Sequence, residues 1–319
     1  MGSGWFDAFR DQGGPTWYGD NRTPVIADFT TLKLVVSFCI FLLAFLVIFP
    51  GIRRARWTSF LSMTLTLLVG AILLVCTYYP GWHVALVRVR MPYRSFSTEK
   101  LDAIIGVEIG LESVNITLRG SAERNIHSHM NYNERFYFAE VKSMQRDFSD
   151  ALEKGLPYPI MSVVEYLSVD KAGFIWGRLY RLAGYYTRIL LWLSFAAWLL
   201  QTCMLCLVPS YYSRALIAVG GCIWLADLVF GLACPQTLVI PFPGVQGDPT
   251  LLRFRFGWCF WLTLGAGAIC IVIGAVIRIL EAKSWCKFST FLQLEEDEAA
   301  SAPSADQATL AAHEERLNV

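Results

Sequence analysis

The chain has 319 residues, of which 55% are hydrophobic, with a mean hydropathy of +0.45 and a formal net charge of +1. This hydrophobicity argues against a soluble protein, and the balanced charge gives no indication of a nucleic-acid or acidic partner. The sequence contains no basic cluster with interleaved aromatic residues, so we expect no nucleic-acid binding.

Residues 1–30 precede the first apolar run and are rich in glycine, aspartate and aromatic residues. The segment is too short and too polar to form a domain, and it lacks the basic start of a cleavable signal peptide. Two interpretations stay open, a disordered tail or a peptide that docks on a partner, and we favour docking because aromatic residues are enriched at binding hot spots. The candidate docking residues are Trp5, Phe6, Phe9, Trp17 and Tyr18.

Five apolar runs each approach the roughly 20 residues that a helix needs to cross the ~30 Å hydrocarbon core of a bilayer. The sequence therefore predicts a multi-pass α-helical membrane protein with five transmembrane helices, embedded in a lipid bilayer. The predicted spans are Leu34–Phe49, Trp57–Tyr79, Ile189–Val208, Ala215–Ala233 and Phe256–Ile277.

The orientation follows from three arginine residues between positions 51 and 56, in the short connection after the first span. The positive-inside rule makes this connection cytoplasmic, which outweighs two arginines that precede the fifth span on the other side. The N-terminus is then extracellular and the C-terminus cytoplasmic. The sequon at Asn115 agrees, because its acceptor is modified only on the lumenal side. A second sequon begins at Asn21, where we expect less complete glycosylation.

The polar region Pro80–Tyr186 lies between the second and third spans and is the predicted recognition domain. Apolar residues alternate within 83–90, 103–111 and 114–119, which predicts the strands of a small sheet, and the short connection at 111–113 predicts a hairpin. Helical spacing of apolar residues from 141 to 152 predicts a helix that ends at Gly155. We interpret the stretch around His127 and His129 as a solvated loop.

Catalytic and cofactor motifs are absent from the sequence, so we predict neither an enzyme nor a cofactor. His127 and His129 with Glu134 form only a weak candidate metal site, which we set aside in favour of the loop. Asp227 is the ionisable side chain well inside an apolar run. Such a residue suggests a proton relay or transport site, but we favour a structural role because no intramembrane basic partner accompanies it.

Cys234 is clearly on the oxidising side in this topology. Because Pro235 follows it, we expect the thiol to be presented near the membrane surface. Cys76 and Cys259 also lie near outward helix ends. The open alternatives for Cys234 are a free thiol, a bridge to another chain and an internal bridge to either of these cysteines.

Five short stretches resemble, in order, those of the dual oxidase maturation factors, in an invertebrate-like version. The five stretches are Phe49–Arg53, Gly110–Leu118, Asn131–Glu134, Ala151–Pro157 and Tyr180–Thr187. The third consists of Asn131, Tyr132, Asn133 and Glu134. The resemblance implies a non-enzymatic subunit that forms a heterodimer or higher assembly with a dual oxidase. It also implies passage with the oxidase from the endoplasmic reticulum membrane to the plasma membrane, where the oxidase makes hydrogen peroxide.

The resemblance implies further details. The large extracellular loop would contain a small claudin-like β-sheet plus helices, with partner contacts in the stretch 131–134. Cys234 matches a family position that bridges to the oxidase, whereas a second cysteine expected near 170–174 is missing. The predicted organisation is 1–30 extracellular tail, 31–79 first two spans with a short basic cytoplasmic loop, 80–186 extracellular claudin-like domain, 187–280 last three spans and 281–319 a largely disordered cytoplasmic tail.

Two alternatives come from other functional classes. A claudin-like adhesion protein would share the sheet, but claudin-type chains have four spans and a pair of lumenal cysteines, which this sequence lacks. A transporter that uses Asp227 is disfavoured because nothing in the sequence assembles a pathway around this residue.

Overall fold

The computed structural model describes residues 9–10, 16–18, 21–23, 27–51, 56–92, 100–122, 125–168, 175–208, 211–243 and 249–283. Trp5, Phe6, Arg53, Arg54, the stretch 170–174 and the tail from 284 lie outside the described residues. The helices are α1 Phe29–Ile48, α2 Arg56–Tyr78, α3 Val141–Glu153, α4 Tyr158–Ser168, α5 Trp176–Leu207, α6 Tyr212–Ala233 and α7 Trp258–Ala282.

The five predicted spans are confirmed as helices, since α1, α2, α5, α6 and α7 are each long and apolar enough to cross a membrane. Helix α5 begins at Trp176, well before the predicted span at Ile189. Its 32 residues correspond to a length of roughly 48 Å, which exceeds the hydrocarbon core. The first turns of α5 therefore extend beyond the bilayer toward the polar region.

The helices pack closely through small residues and a buried polar centre. A Cβ atom at Gly220 of α6 would lie 2.8 Å from the carbonyl oxygen of Gly267 in α7, so only glycine permits this approach. Thr66 of α2 accepts a hydrogen bond from Gln201 of α5 (3.2 Å), and its hydroxyl lies 3.3 Å from that of Tyr212 in α6. This threonine links three helices inside the bundle.

The strands are β1 Phe9–Arg10, β2 Thr16–Tyr18, β3 Asn21–Thr23, β4 Ala27–Asp28, β5 His83–Pro92, β6 Lys100–Ile109, β7 Ser113–Ala122, β8 Asn125–Tyr137, β9 Val239–Pro243, β10 Pro249–Arg253 and β11 Arg255–Phe256. A five-stranded antiparallel sheet, in the order β11-β5-β6-β7-β8, stands between α2 and α3 and is completed by residues just before α7. A two-stranded hairpin, β9–β10, packs against β5.

The sheet has one buried and one outward face, as the alternation predicts. Ile105, Ile116 and Val87 belong to the buried core, whereas Leu86 on the outward face is 74% exposed. The predicted hairpin is confirmed, because Ile109 pairs with Val114 and the intervening turn closes tightly. Helix α3 lies against β8, and α4 lies against β7 and α5.

The interpretation of residues around His127 and His129 as a loop is wrong, because both lie in strand β8. This strand pairs with β7 from Ser113↔Tyr137 to Ala122↔Asn125, with an irregularity near its start. The predicted end of the following helix is confirmed: Gly155 has a φ of 63°, a conformation that glycine adopts without strain.

The N-terminal segment contains four short strands. Strands β2 and β3 form an antiparallel pair, in which Trp17 pairs with Arg22 and Tyr18 with Asn21. Phe9 lies in β1, which pairs in parallel with β4. Strand β3 lies near β8, so this segment approaches the far edge of the main sheet.

Candidate functional site at the junction of sheet and helices

Two of the stretches singled out in the sequence meet where the sheet rests on α5. The turn between β6 and β7 lies against the helix at Gly184, where an added Cβ atom would lie 2.1 Å from the carbonyl oxygen of Leu111. One turn further along α5, Arg188 forms an ion pair with Glu112 of the same turn. The close approach of the turn to α5 requires glycine at position 184, and the ion pair holds the same turn to the next turn of the helix.

A buried cluster of three polar side chains joins the sheet to two helices. His83 begins β5, Tyr180 lies in the first turns of α5 and Cys234 follows the last residue of α6. The Tyr180 hydroxyl lies 2.8 Å from His83 Nδ1, and the Cys234 Sγ lies 3.5 Å from the same nitrogen. Residues of three separate elements thus share one hydrogen-bonded site.

The electrostatics of this cluster follow from its burial. Removal from water disfavours the imidazolium ion and lowers the pKa of His83 from 6.5 to about 4. The same burial raises the pKa of the Cys234 thiol to about 12, although a hydrogen bond with Tyr180 acts in the opposite direction. At neutral pH the cluster is therefore uncharged, with a protonated thiol.

Cys234 directly follows α6, but its side chain is only 4% exposed, so the thiol is buried within the protein and is not presented to solvent. Its position near the membrane surface stays a prediction. Sequence reasoning missed its neighbours because His83 is 151 positions away in the chain. The structure also bears on the two internal bridges considered for Cys234, to Cys76 or to Cys259. Cys259 lies within hydrogen-bonding reach of Cys76, whereas Cys234 contacts His83 and Tyr180.

The Asn115 sequon lies near the start of β7, an inner strand, on the outward face of the sheet. Asn115 pairs across the strands with Glu108 on one side and Arg135 on the other, and it hydrogen-bonds the Glu108 carboxyl group. The Tyr79 hydroxyl donates to Glu108 Oε2 over 3.4 Å. Burial raises the pKa of Glu108, and burial followed by the charge of Glu108 raises the pKa of Tyr79 to about 12. Asn115 is half-buried, and glycosylation here stays a prediction.

The candidate docking residues of the stretch 131–134 lie in β8 and divide between its two faces. Asn131 and Asn133 alternate with Tyr132 and Glu134, and the register places the first pair on the face of Asn115. The Glu134 side chain is 3% exposed, so the expectation of a contact surface formed by all four residues needs correction. A groove of about 580 Å³ separates the end of this strand from α3.

Asp227 lies buried between α6 and α7. Its Oδ1 accepts a 2.7 Å hydrogen bond from the Thr263 hydroxyl. Its second carboxyl oxygen, Oδ2, is buried and has no hydrogen-bond partner within the described part of the chain. The hydrogen bond connects α6 and α7, and the structural role of Asp227 stays a prediction.

No group of three or more histidine, cysteine, aspartate or glutamate side chains suited to a metal ion occurs in the part of the chain that the structure describes. The arrangement at the junction offers hydrogen bonds, an ion pair and close packing. These contacts join the sheet directly to the helix bundle.

Comparison with known proteins covers most of the chain. A family model described as "Dual oxidase maturation factor" matches residues 17–296. Dual oxidase maturation factor 1 of Caenorhabditis elegans is 35% identical over 88% of this chain and 75% of its own length. The human protein of that name is 33% identical over 88% of this chain and 82% of its own length. Human dual oxidase maturation factor 2 is 30% identical over 80% of this chain and 79% of its own length.

Proposed function

This chain belongs to the dual oxidase maturation factor family, and we propose that it is the non-catalytic membrane subunit of a dual oxidase. In this role it forms a heterodimer with the oxidase and accompanies it from the endoplasmic reticulum to the plasma membrane. There the oxidase makes hydrogen peroxide, and the maturation factor stays bound to it. Family membership supports this proposal, because the relatives are named for the maturation of a dual oxidase.

The proposed topology has the N-terminus and the sheet outside and the C-terminus inside. Pairing of β11 with β5 supports one part of it, since the residues before α7 and those after α2 must lie on the same side. Asn115 on the outward face of the sheet is then available to the glycosylation machinery. The sheet with its helices would form the claudin-like extracellular domain.

The observation that carries the proposal is the attachment of the sheet to α5. Gly184 and Arg188 hold the β6–β7 turn against a helix that continues into the membrane. A partner bound to the sheet is thereby held in one orientation relative to the bilayer. Such a connection suits a subunit that positions a membrane enzyme, and the candidate contacts are Asn131 and Asn133 of β8 and the aromatic residues of the N-terminal segment.

Co-expression with a dual oxidase tests this function. We expect the oxidase to co-purify with the chain from detergent, to reach the cell surface and to make peroxide. Without the chain, we expect neither surface delivery of the oxidase nor peroxide production. The chain expressed without an oxidase should make no peroxide. Surface delivery of the oxidase that does not depend on the chain would contradict the proposal.

Paired variants separate the junction from general charge effects. Arg188→Gln removes the ion pair with Glu112, whereas Arg178→Gln removes an exposed arginine from the same helix. We expect the first variant to reduce co-purification and surface delivery and the second to preserve them.

Deletion of residues 1–18 tests the N-terminal aromatic residues: unchanged binding and peroxide output would show that they do not dock on the partner.

A further inference from the structure

Cys76 and Cys259 form a pair of thiols at the outward ends of two neighbouring helices. Cys76 lies in the last turn of α2, and Cys259 is the second residue of α7. Both are free thiols in the structure, both are fully buried, and each lies within reach of the other. We infer that these two residues form an internal disulfide bond in the mature protein, which ties the fifth membrane helix to the second.

The backbone fixes this juxtaposition independently of the side chains. The segment before α7 runs antiparallel to the segment after α2, with Phe256 paired with His83. Two more backbone bonds continue this ladder to the helix: Gly257 N–H donates to Trp82 O (2.7 Å), and Cys259 N–H donates to Gly81 O (3.1 Å). The register therefore leaves no freedom to slide Cys259 along α2.

The surrounding contacts show that the Cys259 thiol lies against the end of α2. The Cys259 Sγ lies 3.9 Å from the carbonyl oxygen of Tyr79, one turn beyond Cys76. The carbonyl of Cys76 itself accepts a 2.7 Å hydrogen bond from the Trp82 indole. Gly81 permits this packing, since a Cβ atom there would lie 3.0 Å from the Cys259 Sγ. Both cysteines are held in position by groups that do not depend on a bond between them.

Pairing of Cys76 with Cys259 also resolves the arrangement of the three outward cysteines. Cys234 is occupied by His83 and Tyr180, so it does not compete for either thiol. One internal bridge and one separate thiol account for all three. Cys234 then keeps its own thiol, as the bond to the oxidase implied by the family resemblance requires.

The chemistry is ordinary thiol–disulfide exchange. A disulfide-carrying oxidoreductase of the secretory compartment is the oxidant: one cysteine attacks its disulfide to form a mixed disulfide, and the second cysteine displaces it. The S–S bond of this chain forms, and the oxidoreductase leaves with both electrons and both protons as a dithiol. Because the mature site is buried, exchange takes place before α7 has fully packed against α2.

The inference rests on the proposed topology, which places both cysteines on the oxidising side. The experiment is peptide mapping by mass spectrometry of the full chain, isolated with its oxidase and unfolded in detergent with excess maleimide but no reductant. The same sample is assayed for the glycan on Asn115, which reports topology alone. We expect a linked peptide pair, lighter by two hydrogen atoms than its separate halves, and a loss of maleimide labelling at both cysteines that reduction restores.

Variants supply the matched comparison. Cys259→Ser should make Cys76 reactive without reduction, whereas Cys270→Ser, at another buried cysteine of α7, should leave the linked pair intact. Labelling of both Cys76 and Cys259 in the unreduced, glycosylated wild-type chain would overturn the bridge and leave the topology standing. Labelling of both without any glycan would overturn the topology as well. A peptide linked between Cys234 and either residue would also overturn the inference.

Discussion

The Tyr180 hydroxyl lies 2.8 Å from Nδ1 of His83, so the first turns of α5 are bonded directly to the first residue of strand β5. The two residues are 97 positions apart in the chain. Both are buried, and Cys234 completes their cluster. The orientation of the sheet on the membrane helices therefore depends on a small polar site that has little access to water.

Acid should weaken this site through His83. Burial lowers its pKa from 6.5 to about 4, so the unfolded chain binds a proton in an interval where the folded chain does not. The contribution of His83 to stability then falls as the pH decreases from 6.5 to about 4 and is constant above this interval. The full loss is about 3 kcal/mol. It is measured as a decrease of the melting temperature of the detergent-solubilised chain.

His83→Gln supplies the control for this pH dependence, because it keeps a polar side chain that does not titrate. The variant should be less stable at neutral pH and show a flatter decrease toward acid. The contribution of Glu108 to stability changes with pH in the opposite direction. Its pKa is raised on folding, so this group stabilises the folded chain more as the pH falls. An equal acid response in the variant and the wild type would exclude His83 as its source.

Gly184→Ala should disrupt the contact of the sheet with α5. The added Cβ atom would lie 2.1 Å from a backbone oxygen of Leu111, so the turn or the helix must move. Overpacking of this kind costs about 1–3 kcal/mol. We expect a lower melting temperature and less complex with the oxidase. Gly221→Ala, where nothing lies within 4 Å, should be neutral, and equal effects of the two substitutions would contradict the importance of the junction.

The Cys234 thiol should react slowly with maleimide in the folded, isolated chain. It is buried, and its pKa of about 12 leaves little thiolate at neutral pH. We expect at least a tenfold slower reaction than in the denatured chain. The rates are measured from the time course of labelling by mass spectrometry. Fast labelling of the folded chain would mean that the site opens readily.

In the complex, we predict that Cys234 forms the bond to the oxidase after this segment opens during assembly. A non-reducing gel of the complex should show the chain migrating with its oxidase. Cys234→Ser should release the chain on the gel while co-purification persists, because the sheet supplies the remaining contacts. A wild-type chain that migrates alone without reductant would exclude the bond.

Asp227→Asn should leave peroxide output near wild type. The amide oxygen can accept the same hydrogen bond from Thr263 that the carboxyl group accepts now. Thr263→Val removes the donor and should destabilise the chain by about 1–3 kcal/mol, as expected for a buried group that loses its partner. Melting temperature and peroxide output are measured together. Loss of output in Asp227→Asn with an intact complex would favour a proton relay.

Asn115→Gln should abolish most of the mobility shift caused by glycosidase treatment, because this sequon lies on the outward face of the sheet. Asn131→Gln alters an asparagine on the same face outside any sequon and should leave the shift unchanged. The remaining shift should disappear when Asn21 is also replaced. A shift that survives both replacements would contradict the proposed topology.

The alternation of apolar residues predicted β5, β6 and β7 because each strand buries one face. Strand β8 was missed although Tyr132 and Phe136 alternate with polar residues, because Glu134 interrupts the apolar positions on the buried face, where it lies opposite Ile116. The β9–β10 hairpin was missed for a related reason: Pro241 and Pro243 are unfavourable in a central strand but are tolerated at an edge.

The candidate site was predictable only in parts. The stretches around Gly110 and Tyr180 were singled out by resemblance, but nothing local indicates that Gly184 meets Leu111. The predicted span begins only at Ile189, whereas α5 begins at Trp176, because Arg178, Arg181 and Arg188 lower the hydropathy of its first turns. Helical spacing of Gly177, Tyr180 and Gly184 persists through that interval, and these are the residues that α5 buries there.

Pairing of β11 with β5 has a consequence for the order of biosynthesis. The first strand of the sheet leaves the ribosome long before Arg255 and Phe256, which complete its edge. A chain that stops before these residues presents an open edge at β5, and such edges invite pairing with other chains. The sheet is therefore complete only after the polypeptide has been made up to the residues that directly precede its last helix.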